Sequence, residues 1–339
     1  MIDRKLILTR ITACIALLCA LHITSAFAQE KAERFWLAGR YDGNRVVIYF
    51  DAVKFEGTAS SRARSIVPPV ADAFFEPVEL PASYIARFQN TVKAEHFSIG
   101  DRYDLLLGNG VVATVKLTTL VGCETDEPVG NDSFIGALAT IEDKDLRGML
   151  AKGYYAVQRH QEAQRNAIEA KPDANAGARK YAALLDEPVP FDVEAKLAEL
   201  LTMRMKTETS DTEHKAAGNV SPALKVQSFH LADGTLRYYV RAEWNPGTEP
   251  TGKSNYLLAA WVSPHPTLRI LALEKRTSQY GGINDGLPDL LNVVGLGSGK
   301  TGIILSVRGE DSSELTLTEY KDGISAQKMP VIQSIGAGE

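Results

Sequence analysis

Residues 111 to 121 read Val-Val-Ala-Thr-Val-Lys-Leu-Thr-Thr-Leu-Val, which is the strongest strand signal in the chain. Alternate residues from Val111 to Leu117 are apolar, and Val112, Thr114 and Lys116 fall between them. A period of two predicts a β-strand, because successive side chains point to opposite faces of a sheet. Only some of the intervening residues are polar, so we expect a strand with one face buried and the other face partly buried.

The neighbouring segments extend this strand into a sheet. The sequence predicts a hairpin from Tyr103–Leu107 through Gly108-Asn109-Gly110 into the long strand, and a second hairpin across the turn at 41–44. Ser133 to Ile141 is expected to close the sheet. Residues 29–142 are therefore predicted to form an N-terminal antiparallel β domain, either a small barrel or a sandwich.

The pattern changes at Asp143, where a helical middle segment is predicted for residues 143–206. Leu146, Leu150, Tyr154 and Val157 fall three or four residues apart, which is typical of one face of a helix of about 20 residues. Further helical stretches are predicted at Ala178–Leu185 and after Asp192, which is expected to cap a helix. The apolar stripe of that last helix contains Val193, Leu197, Leu200 and Leu201.

Residues 207–222 contain almost no large apolar side chain, and we interpret them as a linker. Strands separated by turn residues then recur over residues 223–329, which predicts a C-terminal antiparallel β domain, either a sandwich or propeller-like sheets. Residues 330–339 are expected to be a loosely held tail. The fold class is thus predicted to be α+β. The predicted C-terminal strands are Leu224–Leu231, Leu236–Trp244, Asn255–Ser263, Thr267–Glu274, Thr301–Val307 and Leu315–Tyr320.

The first 28 residues have the features of a signal peptide. Arg4, Lys5 and Arg10 precede an apolar run, and small residues end the segment at Ala28, after which we place cleavage. No later segment approaches the roughly 20 apolar residues of a membrane-spanning helix. The sequence therefore predicts a periplasmic or secreted protein with no transmembrane segment after signal cleavage.

Charge and composition exclude some functions. With 45% hydrophobic and 23% charged residues, the chain is typical of a globular protein and not of a disordered one. Cleavage would remove three basic residues and one acidic residue, changing the formal net charge from −5 to −7. A net acidic surface repels phosphate backbones, so nucleic acid is not expected as a partner.

One glycine-rich string resembles a phosphate-binding loop. Gly295 to Thr301 ends in Gly-Lys-Thr, but Val294 occupies the position where the loop needs its first glycine. The next residues, Gly302 to Val307, have the pattern of a strand and not of the helix that would face a phosphate. We therefore predict a glycine-rich hairpin turn there and no nucleotide cofactor.

Other motifs for chemistry are incomplete. Ser325 to Lys328 has Ser-x-x-Lys spacing, but it follows Lys300-Thr301-Gly302, which is the reverse of their order in the enzymes that combine these motifs. Gly281 to Asp289 has the outline of a calcium loop, yet Gly281 and Ile283 stand where its first two ligands belong, so a plain turn is favoured. The histidines lack paired metal-ligand spacing. Catalytic residues stay unassigned, and no cofactor or metal is predicted.

Two functions remain open. The first is an exported, non-enzymatic cell-envelope protein that binds a protein partner or another ligand, such as a glycan. An exposed apolar patch on the helix at Leu146–Val157, or on that at Val193–Leu201, would favour it. The alternative is an extracytoplasmic hydrolase acting on carbohydrate or peptidoglycan. Clustering of acids such as Asp101, Glu124 or Asp285 in one cleft would favour that alternative.

Overall fold

Antiparallel strands make up most of the chain that the structure describes. The structure is a computed structural model, and it describes residues 34–55, 75–80, 83, 85–86, 97–106, 112–125, 133–144, 153–160, 189–208, 221–244, 255–278, 286–296, 299–308 and 313–337. The strands form a six-stranded barrel with one added strand, and two four-stranded sheets; one long α-helix, α1 (Phe191–Glu208), accompanies them.

The barrel strands are β1 (Phe35–Arg40), β2 (Arg45–Phe55), β4 (Arg102–Leu106), β5 (Val112–Thr125), β6 (Ser133–Ile141) and β7 (Tyr154–Arg159), with β3 (Phe75–Glu79) added. Their order around the barrel is β1-β2-β6-β5-β4-β7, and β7 pairs with β1 to close the ring. The first half of β5 pairs with β4 and its last residues pair with β3. The antiparallel β prediction for this half of the chain is confirmed, and it takes the barrel form.

Aromatic side chains fill the barrel. Trp36, Phe50, Phe97 and Tyr103 are all buried, with the rings of Trp36 and Phe97 4.8 Å apart and those of Phe97 and Tyr103 5.0 Å apart. Burial raises the pKa of the Tyr103 hydroxyl well above its usual range. The interior is therefore a packed apolar core, which is how small barrels are usually filled.

The helix predicted around Tyr154 and Val157 is wrong, because these residues lie in strand β7. Tyr155 and Val157 point into the barrel core, whereas Tyr154 and Ala156 point outward into a second apolar cluster. A strand buried on both faces has no polar positions to reveal its period of two. Leu146, Leu150 and the predicted helix at 178–185 lie outside the described residues.

The C-terminal part forms two antiparallel meanders. Sheet I contains β8 (Ala223–His230), β9 (Leu236–Trp244), β10 (Asn255–Ser263) and β11 (Arg269–Ser278). Sheet II contains β12 (Asp289–Gly295), β13 (Thr301–Arg308), β14 (Ser313–Glu319) and β15 (Val331–Ala337). The antiparallel β prediction is confirmed for this region, although β12 and β15 were not predicted. The loose tail predicted after Met329 is corrected by β15, in which Gln333 and Ile335 are buried.

The barrel, the two sheets and α1 share three successive apolar clusters. Sheet II contributes Ile304 and Leu317 to a cluster with the outer face of the barrel. Its opposite face, with Ile303 and Leu305, packs with sheet I. The remaining face of sheet I packs with α1. Burial of both faces of each sheet places the helix at the outer end of this series, where it determines the surface described below.

The helix α1 confirms the third predicted helix. Its backbone begins at Phe191, and the N–H groups of Val193 and Glu194 donate to the carbonyl oxygen of Pro190. Asp192 therefore lies inside the first turn and does not cap the helix, which corrects that prediction; its carboxylate pairs instead with Lys196 at 3.1 Å. In the described ranges, no helix combines the length and the apolar character needed to cross a bilayer.

The predicted domain limits stay predictions. Most of the predicted linker, residues 209–220, lies outside the described residues, and the predicted signal peptide at 1–28 does as well. The helix α1 continues to Glu208, two residues past the predicted end of the helical segment.

Candidate functional site

An open groove lies along one flank of α1. The helix contacts sheet I through Leu197, Leu201 and Met205, which are all buried against the outer face of the sheet. These residues are four apart, so they form a single row along the helix. The flank beside this row is only partly buried, and it forms one wall of the groove.

The opposite wall comes from the start of β9 and from the turn that joins β10 to β11. The groove has a volume of about 590 Å³. Its lining is mostly apolar on both sides. The lining residues are Val193, Lys196, Glu199, Leu200, Met203, Leu236, Tyr238, Pro264, His265, Pro266, Thr267 and Leu268.

The turn of this wall is held by its own hydrogen bond. The Ser263 hydroxyl donates to the carbonyl oxygen of His265 at 3.1 Å, and the His265–Pro266 peptide bond is cis. Pro264 and Pro266 have no backbone N–H, so they offer ring carbons to the groove without adding donors. The wall therefore presents a mainly apolar surface on a defined backbone.

Apolar side chains are accessible at the groove. Met203 is 53% exposed, and Leu200, Leu236 and Leu268 are half-buried. Exposed apolar side chains that occur singly are ordinary on protein surfaces, but several that converge on one concavity are typical of binding sites. Within Val193–Leu201, where an exposed apolar patch would favour a binding protein, Val193 and Leu200 are half-buried, and the exposed Met203 lies two residues beyond that range.

The charges at the groove differ in how they are paired. Lys196 Nζ lies 3.1 Å from Asp192 Oδ2, so it is already paired within the helix. Glu199 is exposed, and among the residues that the structure describes it has no hydrogen-bond or ion-pair partner. The groove thus combines apolar walls with one unpaired carboxylate at its edge.

A second arrangement of interest joins two barrel strands. His160 Nδ1 lies 2.6 Å from Asp104 Oδ1, with the His160 and Asp104 side chains 13% and 7% exposed. The backbone N–H of His160 also donates to the carbonyl oxygen of Arg102 at 3.1 Å. A carboxylate bound to Nδ1 orients an imidazole and leaves Nε2 available to accept a proton. Within the described ranges, however, no hydroxyl or thiol is hydrogen-bonded to that ring.

This pair could not be predicted from sequence, because Asp104 and His160 are 56 residues apart. They meet because β4 and β7 are neighbours in the barrel, with Asp104 opposite Gln158. Asp101, one of the acids expected to cluster, is close in sequence to Asp104, but it is His160 that contacts Asp104. The side chain of Glu124 and all of Asp285 lie outside the described residues, so the expected clustering of acids stays a prediction.

The glycine-rich string is a hairpin turn, as predicted. It joins β12 to β13, which pair antiparallel, and Leu296 N–H donates to the carbonyl oxygen of Lys300 at 2.9 Å. Gly299 has a φ of +75°, in the left-handed region that favours glycine. Strand β13 and not a helix follows the string, so it lacks the following helix that a phosphate-binding loop needs. Gly297 and Ser298 lie outside the described residues.

Asp289, the last residue of the predicted calcium-loop outline, is already engaged by two cations. Arg241 Nη1 lies 2.6 Å and Lys225 Nζ 3.1 Å from its carboxylate. Burial by itself raises the pKa of Asp289, but the charges and hydrogen bonds of Arg241 and Lys225 outweigh it and lower that pKa. Residues 281–285 lie outside the described residues. In the part that is described, no group of three or more His, Cys, Asp or Glu side chains is arranged to hold a metal ion.

Comparison of the chain with protein-family models, with curated protein sequences and with solved structures gave no match in any of the three.

Proposed function

We propose that this protein is an exported, non-enzymatic binding protein of the cell envelope, which holds a segment of a protein partner in the groove beside α1. The observation that carries this proposal is the apolar groove itself, open to solvent and built on a packed helix and a sheet. The features of a signal peptide at 1–28 support a periplasmic or secreted location.

The dimensions of the groove suit a peptide segment. Val193 and Met203, at its two ends on the helix, are ten residues apart, which corresponds to about 15 Å along the helix axis. An extended chain rises about 3.3 Å per residue, so four or five residues would span that length. Such a segment would bury apolar side chains between the leucines of α1 and the proline turn.

A glycan fits this groove less well. Sugar hydroxyls need hydrogen-bond partners when they leave water, and their burial against apolar carbon is costly. Seven of the twelve lining residues have apolar side chains, the polar groups of the others are spread over both walls, and Tyr238 is only 5% exposed. Trp36 and Tyr49, whose aromatic rings could otherwise stack on a sugar, are buried in the barrel region.

The test is affinity capture of the mature protein from its native envelope, with quantitative mass spectrometry of what is retained. Leu200→Asp places a charge in the groove, and Ile99→Asp makes the same change at an exposed apolar residue outside the groove lining. We expect at least one envelope protein to be retained by the wild type and by Ile99→Asp but lost with Leu200→Asp. Equal retention by all three would reject the groove as the binding site.

The hydrolase remains a second candidate because of the Asp104–His160 pair. Its geometry supplies two of the three groups of a nucleophilic triad, with Asp104 orienting the imidazole. The test is turnover of purified peptidoglycan and of oligosaccharides by wild type, Asp104→Asn and His160→Gln. Turnover that both substitutions abolish would establish this function; no turnover by the wild type would remove it.

We also infer that sheets I and II act together as a two-layer sandwich that supports the groove. Phe229 and Trp261 of sheet I share one cluster with Ile303 and Leu305 of sheet II. Face-to-face packing of this kind is typical of sandwiches, whereas propeller blades pack around a central channel.

A further inference from the structure

The charges at the groove point to the chemistry of its occupant. We infer that the bound segment carries a basic side chain beside its apolar residues, and that this side chain pairs with Glu199. This inference rests on the proposed function, since it concerns the same groove. It goes further by naming the partner chemistry and the end of the groove where the charge is bound.

Position on the helix places Glu199 at the edge of the groove. It lies one turn from Met203 and one residue before Leu200, and all three line the same cavity. Because Leu200 is half-buried while Glu199 is exposed, the carboxylate stands above the apolar wall, where a bound chain would pass it. A partner side chain could reach the carboxylate with its apolar neighbours still in the groove.

The other charged residue of the helix wall does not compete for Glu199. Lys196 is three residues before Glu199, which is within reach on a helix, but its ammonium group pairs with Asp192 in the opposite direction. No described residue donates to the Glu199 carboxylate. Its charge is therefore available to a ligand, and an acidic ligand would be repelled.

A pair at the rim of an interface contributes more to selectivity than to affinity. An exposed ion pair contributes little to the binding free energy, so its loss should raise a dissociation constant by about two- to fivefold. A like charge at the same place is unfavourable, so the preference between basic and acidic segments is larger than either effect alone. Glu199 lies nearer the Met203 end, so the basic residue would also set the direction of the bound chain.

The experiment is selection of a phage-displayed library of random twelve-residue peptides on the full mature protein. The selections use wild type, Glu199→Lys, Leu200→Asp and a matched control, Glu194→Lys. Glu194 is an exposed acid on the same helix that does not line the groove. Thermal unfolding midpoints of the four proteins establish that each is folded.

We expect wild type and Glu194→Lys to enrich apolar peptides with Lys or Arg at one fixed place. Glu199→Lys should enrich apolar peptides with Asp or Glu there, and Leu200→Asp should enrich neither. Apolar peptides that depend on Leu200 but show the same charge preference with Glu199→Lys would overturn this inference and leave the proposed function standing. Absence of any enrichment that depends on Leu200 would contradict both.

Discussion

Gln333 is a buried amide in the apolar interface between sheet II and the barrel. The backbone N–H of Leu37 donates to its Oε1, and its Nε2 donates to the carbonyl oxygen of Tyr49 at 3.0 Å. The last paired residues of β1 and β2 at this end are Ala38 and Ile48. Leu37 and Tyr49 would be the next pair if the two strands continued together. The amide of Gln333 thus bridges two backbone groups at the point where the two strands separate.

Replacement of Gln333 by Leu should be strongly destabilising. It keeps a similar volume but removes the hydrogen bonds that Gln333 makes with the Leu37 N–H and the Tyr49 carbonyl, and loss of a partner at a buried polar group costs about 1–3 kcal/mol. We expect the free energy of unfolding to fall by about 2–4 kcal/mol on that basis. Urea unfolding measures this. Ser334→Ala, at the exposed neighbour, should change it by less than about 0.5 kcal/mol; equal losses would show that Gln333 has no special role.

Glu274 gives the protein a specific pH dependence. Burial raises the pKa of its carboxyl above the ordinary value of 4.5, although the Gln327 N–H donates to Oε1 at 3.1 Å. A carboxyl with a raised folded-state pKa costs stability in its charged form. This cost is absent below pH 4.5 and grows as the pH rises through the folded-state pKa.

Glu274→Gln should therefore stabilise the protein at pH 7, by up to about 1 kcal/mol, because it removes a partly buried charge and keeps an acceptor for the Gln327 N–H. The difference in thermal midpoint from wild type should shrink as the pH falls toward 4.5. Glu314→Gln, at an exposed acid, is the control. A variant less stable than wild type at pH 7 and equally so at low pH would refute this account of Glu274.

At the scale of elements, the strands with clear alternation or clear turns could be predicted from sequence. The predicted bounds of β9 and β10 match the observed Leu236–Trp244 and Asn255–Ser263. Strands that are buried on both faces were harder to predict from sequence. The run Tyr154–Val157 has no polar residue, so helical spacing fitted it as well as a strand. Strand β12 was missed for a similar reason, since four of its seven residues are apolar and they do not alternate with polar ones.

The candidate site was predictable only in part. The apolar stripe of α1 was identified, but sequence alone could not divide it between two roles. Leu197 and Leu201 are buried against sheet I, whereas Leu200 lines the groove, and the half-buried Val193 does both. That division depends on how the helix sits on the sheet. The opposite wall at Pro264 to Leu268 was predicted as a turn, with nothing in its sequence to indicate that it would face a helix.

The two sides of α1 should respond differently to truncation. Leu201→Ala removes a fully buried side chain and should lower the free energy of unfolding by about 2–5 kcal/mol. Met203→Ala should change stability by less than about 0.5 kcal/mol, since Met203 is 53% exposed, yet it should weaken capture of the envelope partner. Denaturant unfolding and affinity capture separate these effects. Unchanged capture with Met203→Ala would argue that this residue is not part of the binding surface.

Considered as a whole, the described molecule passes from the barrel through sheet II and sheet I to α1, with an apolar cluster at each step. Both faces of both sheets are buried, so their apolar side chains contribute to the folded core and are not exposed to a partner. The flank of α1 keeps apolar side chains open to solvent beside a wall formed by a turn. Partner binding at this outer element would leave the rest of the fold undisturbed, which accords with the rigid support that binding surfaces need.

The most direct test of the groove is site-specific photocrosslinking in the native envelope. A photoreactive amino acid is placed at Met203 in one variant and at Ile99 in another, because the two residues are equally exposed, at 53% and 52%. We predict that position 203 crosslinks one short segment of one envelope protein and that position 99 does not. The same crosslinks from both positions, or none from position 203, would contradict the assignment of the groove as the binding site.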